Sequence, residues 1–284
     1  MTRAKRSRTR KASSGFWKMK RGPVGLLLAI FIVAAAAPLL VNHDPDQIKM
    51  AARLQGPSTE YWLGTDHFGR DVYSRIIYGA RLAVVTGLMV AGIAAVVGIL
   101  IGSTAAYFRV WGAIVMRIVD GVMAFPAIIL ALGITAIAGH ASLTNVITAL
   151  TIVYTPRVVR LAYGLGLSLR DCAHVEAARA IGMGNVRILL YHIIPSMVSP
   201  VVVQSTFTCA LAILGAASLD FLGVGVPPYV ASWGIMIQEA KIYMTSAPWI
   251  AASPGLCMVI FVLALNLCGD TLRDMLDPHL RKSM

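Results

Sequence analysis

LAVVTGLMVAGIAAVVGILIGSTAAYF, residues Leu82 to Phe108, runs for 27 positions without a charge and stops at Arg109. A helix rises about 1.5 Å per residue and a bilayer hydrocarbon core is about 30 Å thick, so about 20 such residues cross it. This stretch crosses with tilt to spare. Inside it, Gly98 and Gly102 make a GxxxG pair that lets a second helix approach closely, although glycine is common in spanning helices without that role.

The rest of the 284-residue chain repeats the pattern. Hydrophobic residues make up 57%, charged residues only 13%, and mean hydropathy is +0.73. Soluble domains carry about 25% charge, so the bilayer is the solvent of this molecule. The formal charge of +12 does not indicate nucleic acid, because nine basic residues crowd into the first 21 positions, ahead of an apolar run. Residues 1–23 therefore read as a basic cytoplasmic tail held against anionic membrane lipid. Cys172, Cys209, Cys257 and Cys268 have no CxxC spacing, and neither a disulfide nor a metal site is expected.

Six spans are expected, making the chain an all-α integral membrane protein. Val24 to Val41 is the first; its small residues Ala34 to Ala37 imitate a signal peptide, but further spans follow. Residues 42–81 form an extracytoplasmic loop and Leu82 to Phe108 the second span. Gly121 to Pro156 is 36 residues without a formal charge, too long for one crossing. It divides at Gly139-His140-Ala141-Ser142 into a third span and a fourth that continues to about Gly164. Val198 to Leu219 is the fifth span and Trp249 to Cys268 the sixth. Residues 82–270 thus hold five spans around a polar loop at 166–197, and 271–284 is a second cytoplasmic tail. Both termini fall on the cytoplasmic side. The positive-inside rule agrees, placing 19 Lys and Arg residues inside and 6 outside.

The loop between the fourth and fifth spans is too polar to cross. Asp171 to Ile181 is rich in helix formers, Gly182 and Gly184 interrupt it, and Asn185 is a candidate N-cap for a second short helix ending near Pro195. Small residues at Ala177, Ala178 and Ala180 would admit a partner surface, with Glu176 and Arg179 as charged rim contacts. These residues alone fit a docking elbow and an interfacial loop equally well.

The segment resembles the cytoplasmic signature loop of binding-protein-dependent ABC importer permeases: Glu176-Ala177-Ala178, then Gly182, then His192-Ile193-Ile194-Pro195. His192 and Ile194 depart mildly from the usual Ile and Leu. Trp62 to Asp71, Tyr78 to Arg81, Ala217 to Gly225, Trp233-Gly234, Pro248-Trp249 and Asn266 to Asp270 are similar to the second permease type of the dipeptide/oligopeptide/nickel branch. The resemblance implies a type I ABC importer permease fold in a bacterial inner membrane, with Glu176, Ala177, Ala178, Gly182 and Pro195 coupling it to an ATPase. It further implies a homologous second permease, two ATP-binding subunits that use ATP and magnesium, and an extracytoplasmic substrate-binding protein. No GxxxxGK[ST] loop is present, so the chain is a non-catalytic subunit that itself binds no nucleotide. The cargo implied is a di- or oligopeptide, with nickel chelate, glutathione or opine as alternatives.

Other chemistries find little support. His140 with Ser142 is the nearest nucleophile-base pair, and no third group orients it. Ion coupling would want an acid at mid-depth, whereas the spans offer Thr86, Asn145, Gln204 and Asn266. Those four could line a pathway or simply bond between helices. Asp220, at the outer end of the fifth span, reads either as solvated or as pathway-lining. The aromatic-rich outer loop and the stretch from Pro227 to Pro248 are candidates for receiving a binding protein.

Overall fold

The structure, a computed structural model, describes residues 24–276; the predicted tail 1–23 lies outside them, and of the predicted tail 271–284 the described part, residues 271–276, continues the last helix, Trp249–Leu276. Among the described residues every regular element is a helix. Four are long and apolar enough to cross a membrane: α3 (Val72–Tyr107), α6 (Leu143–Leu169), a continuous helix Asn185–Phe221, and α11 (Trp249–Leu276). A fifth crossing is available from α4 (Arg109–Met123) and α5 (Ala127–Ala138), which meet at a 92° bend.

Proline explains where the sequence-derived spans need correction. The first apolar run is not one 18-residue helix. It is α1 (Val24–Ala35) followed by the single turn α2 (Ala37–Leu40). Pro38 has no N–H for the Ala34 carbonyl and its ring crowds that oxygen, so the helix breaks at Ala36. The predicted third span likewise breaks between Met123 and Ala127. Pro126 pushes Phe125 out of helical conformation and itself caps α5 with ψ 128°. The turn between the third and fourth spans stands where expected. Gly139 closes α5 at φ 75°, and the Ser142 side chain accepts from the Asn145 N–H at 3.2 Å to start α6.

The separate short helix expected before Pro195 does not exist. Its first turn is α8 (Asn185–Ile188), which passes through a π turn at Leu189–Ile193 directly into α9 (Ile194–Phe221). Pro195 sits in the first turn of α9. Just upstream the helix has switched to i→i+5 bonding, with the Ile194 N–H donating to the Leu189 carbonyl. A proline is thereby absorbed without a stop. Asn185 is not the cap either: Gly184 holds that position, and the Asn185 side chain accepts from the Tyr107 hydroxyl at 2.8 Å.

α3 is the axis of the bundle, packed against α6 and α9. The GxxxG pair faces α6: a methyl placed on Gly98 would lie 2.5 Å from the Val158 side chain, and one on Gly102 would lie 2.6 Å from Ala162 Cβ and the Val159 carbonyl oxygen. Backbones therefore touch along this seam. Two larger clusters fill the bundle. One joins α3, α9, α10 (Trp233–Ala240) and α11 around Trp233 and Phe261; the other joins α3, α5, α6 and α9 around Leu150 and Tyr154. A smaller cluster at the opposite end from the 42–71 segment fastens α7 (Ala173–Ala180) to its neighbours.

Candidate functional site

The predicted docking loop is a short helix on a rigid seat. Val175 and Ala178 are buried on one face of α7, against Ala162, Ile188, Ile193 and Met197, with Tyr107, Leu165 and Leu169 packed around them. α7 packs chiefly on the head of the continuous helix Asn185–Phe221, through α8 and the π turn, in a cluster that also takes in Ala162, Leu165 and Leu169 of α6 and Tyr107 of α3. Arg170 reinforces the seat by donating to the Ala106 carbonyl at 3.1 Å, and the Arg179 guanidinium lies 5.8 Å from the Tyr107 ring centre.

The C-terminus of α7 is a Schellman motif. The Met183 N–H donates to the Ala178 carbonyl at 3.1 Å and the Gly182 N–H to the Arg179 carbonyl at 3.0 Å. This geometry needs a left-handed residue at position 182, and Gly182 adopts φ 80° with open space around it. Its requirement is therefore conformational rather than steric.

Of the five residues expected to couple, Ala178 is buried in the seat while Glu176, Ala177, Gly182 and Pro195 are exposed. Around them lie bare apolar side chains: Ile181 is 79% exposed, Val186 69% and Tyr191 72%. Exposed apolar groups gathered around a short helix in this way are of the kind found at protein-protein contacts. The His174 and His192 rings, 6.2 Å apart, sit at its edge.

At the other end of the bundle, the 42–71 segment is not a solvated loop. Arg70 is buried between two carboxylates, bonding Asp66 through Nε at 2.5 Å and Glu239 of α10 through Nη2 at 2.7 Å. Arg75 is wholly buried and leans on the Pro45 carbonyl and on Asp46. Trp249 of α11 donates to the Thr65 carbonyl at 3.3 Å, and Trp233 of α10 to the Ile76 carbonyl at 3.0 Å. The 42–71 segment, α10 and the start of α11 thus close into one cap. Asp66, His67 and Glu239 come within 4.8 Å of one another, a spacing a cation could use, but Arg70 already supplies the counter-charge. Burial pushes the His67 imidazole below its usual range, although Glu239 and Asp66 pull the other way.

Sequence reasoning missed this network. The loop's basic and acidic residues summed to near neutrality, and only the fold pairs Arg70 with a carboxylate 169 positions away.

Asp220 is not solvated. It is 5% exposed, takes the Ser232 hydroxyl as donor, and accepts from the Val226 N–H at 2.9 Å, folding the segment after α9 back onto the helix end. The four candidate pathway residues do not converge. Thr86 is buried and bonds its own helix at Leu82; it lines a small cavity beside Asp220. Asn145 staples the turn before α6 by donating to the His140 carbonyl at 2.8 Å. Gln204 faces a groove of about 460 Å³ shared with Ser199, Phe207 and Arg273, and Asn266 is half-buried on α11.

A cavity of about 710 Å³ opens at the cap end between residues 41–46, the start of α3 and residues 229–231. Leu82 and Leu143 belong both to it and to the small cavity beyond, which also holds Thr86 and Asp220.

The family model "Binding-protein-dependent transport system inner membrane component" matches residues 94–282. A putative peptide transport system permease protein of Brucella suis is 44% identical over 260 residues, covering 91% of this chain and 88% of the relative. The dipeptide transport system permease protein DppC of Alkalihalophilus pseudofirmus is 40% identical over 275 residues, 96% of this chain and 90% of that one. The glutathione transport system permease protein GsiD of Pectobacterium atrosepticum is 39% identical over 257 residues, 90% and 85% of the two chains. In architecture the chain is similar to the inward-facing MetNI methionine ABC transporter, with a TM-score of 0.59 at 20% identity over 71% of this chain and 96% of that one. On this matched span and these identities, the chain belongs to the binding-protein-dependent transport system inner membrane components, as a non-catalytic multi-pass permease subunit of the dipeptide/oligopeptide/nickel branch.

Proposed function

We propose that this chain forms one half of the path by which an ATP-driven importer passes di- or oligopeptides across a bacterial inner membrane. It pairs with a homologous permease, rests on two ATP-binding subunits that consume ATP and magnesium, and receives cargo from an extracytoplasmic binding protein. The peptide cargo rests on the names of the relatives, among them dipeptide and glutathione permeases. The α1–α2 run supplies a sixth crossing, and the basic first 21 residues favour cytoplasmic termini. On this orientation α7 faces the cytoplasm and the cap faces outward.

One observation carries the mechanism: α7 is seated on the head of the continuous helix Asn185–Phe221, in a cluster shared with the ends of α3 and α6, while its free face is ringed by exposed apolar side chains. An ATPase that grips this face moves three long helices together. ATP-driven closure of the two ATPases would then bias the permease pair between outward-open and inward-open states. Glu176, Ala177, Gly182 and Pro195 meet the ATPase and Ala178 holds the seat. Thr86, Gln204, Asn266 and Asn145 are the polar groups available to a path formed with the second permease.

The test is peptide uptake into vesicles containing all partners. Glu176→Lys reverses the exposed charge, and Gly182→Arg puts a long side chain at a left-handed position on the docking face. Both variants insert normally and lose peptide uptake per ATP hydrolysed. Wild-type uptake in both, with the ATPase still co-purifying, would overturn the assignment.

A further inference from the structure

The cap-end cavity has a definite chemical character. Its volume of about 710 Å³ falls within the range of small-ligand sites, about 300–1,000 Å³. One wall is the first exposed turns of α3, where Tyr78 and Arg81 are one turn apart and face the cavity together. The opposite wall is the turn carrying Asp44 and Asp46. Arg81 makes no hydrogen bond or ion pair with any described residue, so its guanidinium is available. Asp44 spends one oxygen on the Asp46 N–H, and Asp46 reaches only a long 3.5 Å contact with Arg75. The rest of the lining mixes the polar Asn42, His43 and Tyr229 with an apolar floor of Leu82, Val85 and Leu143.

A cation on one side, two carboxylates on the other and an apolar floor complement a molecule with an anionic end, a cationic end and a hydrocarbon body. A free-ended peptide has those features. We infer that this pocket receives the peptide, Arg81 taking its terminal carboxylate and Asp44 with Asp46 its terminal ammonium, before the passage beyond Leu82 and Leu143 opens. The inference rests on the orientation and cargo proposed above and adds a recognition step made by the permease itself. Its geometric basis is that Leu82 and Leu143 line both this pocket and the cavity holding Thr86 and Asp220.

The experiment uses the assembled transporter in lipid nanodiscs, without binding protein, and a dipeptide bearing a photoreactive diazirine side chain. Label is expected on residues 41–46 and 78–85, competed by unlabelled alanyl-alanine. Losing one charge-assisted bond weakens a competitor by about tenfold, so C-amidated and N-acetylated dipeptides should each compete about tenfold less well. Arg81→Gln should abolish discrimination against the amidated peptide but keep that against the acetylated one; Asp44→Asn with Asp46→Asn should do the reverse. Arg81→Lys should restore a preference for the free carboxylate, which a merely structural role would not do.

Label that falls elsewhere, or discrimination unchanged in Arg81→Gln, overturns the inference. So does a pocket that labels in the isolated chain but is covered in the assembly, since a partner subunit then fills it. A wild-type transporter that imports no peptide while its pocket still labels competitively refutes the cargo and leaves the recognition site standing.

Discussion

The seam between α3 and α6 offers a test with an internal control. Gly92 and Gly102 lie on the same helix. A methyl on Gly92 meets nothing within 4 Å, whereas one on Gly102 falls 2.6 Å from Ala162 Cβ and the Val159 carbonyl oxygen and 3.0 Å from the Tyr163 nitrogen. Ordinary contact begins near 3.4 Å, so Gly102→Ala requires the helices to part by nearly 1 Å. A gap of that size forfeits about a quarter to a half of each dispersion contact along the seam. Overpacking of this kind costs about 1–3 kcal/mol. Replacing glycine by alanine also favours the helix by about 1 kcal/mol, but both variants gain that, so it cancels in their difference. Gly102→Ala should therefore be about 1–3 kcal/mol less stable than Gly92→Ala. Unfolding of the detergent-solubilised protein by added SDS, followed by circular dichroism, measures the difference. Equal midpoints for the two variants would refute the close-packed seam.

Two further predictions concern the cap. Arg70→Met removes the close cation from both carboxylates, leaving Asp66 its backbone donors and Arg75 at 4.0 Å, and should cost about 3–5 kcal/mol, whereas Glu239→Gln leaves the Arg70–Asp66 pair intact and should cost less; equal losses in the same unfolding assay would contradict the bridging role of Arg70. The second is pH dependence. Burial holds the folded His67 below its ordinary value of 6.5, so below pH 6.5 the unfolded chain binds a proton that the folded one resists. Cap stability should be full above pH 6.5 and fall as pH drops from there toward the depressed folded value. His67→Phe, which keeps a ring against Tyr243, should remove that slope; amide hydrogen exchange across residues 60–71 at pH 5.5 and 7.5 reads it, and an unchanged slope in the variant would count against it.

How much of this was legible beforehand depended on whether the signal was local. Runs of apolar residues announce α3, α6 and α11 because length and lack of charge are properties of neighbours in sequence. Gly182 and the Gly139–Ser142 turn were readable for the same reason: helix termination is settled within a few residues. The break at Pro126 was also local, carried by a proline inside an uncharged run, yet charge counting passes over it because Phe125-Pro126 carries no charge. Asp220 and Arg70 were beyond reach. Each is read as exposed while its partners are unknown, and those partners are Ser232, Val226 and Glu239, supplied by segments that fold back from elsewhere. The union of α8 with α9 was hidden differently, since a π turn accommodates Pro195 where a regular helix would have stopped.

The cap also sets a timetable for making the protein. Arg70 pairs with a residue 169 positions later, the Thr65 carbonyl with one 184 later, and Arg53 with Tyr243, 190 later. At about 5–20 residues per second a ribosome takes on the order of 10–30 s to supply those partners. Until then the cap's own charges have only water and near neighbours to answer them. The cap consequently closes only after α10 and the first turn of α11 have emerged. A chain cut short before Glu239 would retain α3, α6 and α9 but be left with an Arg70 half-answered by Asp66. The emergence of α10 and the start of α11 is in this sense registered at the cap, by these three contacts together.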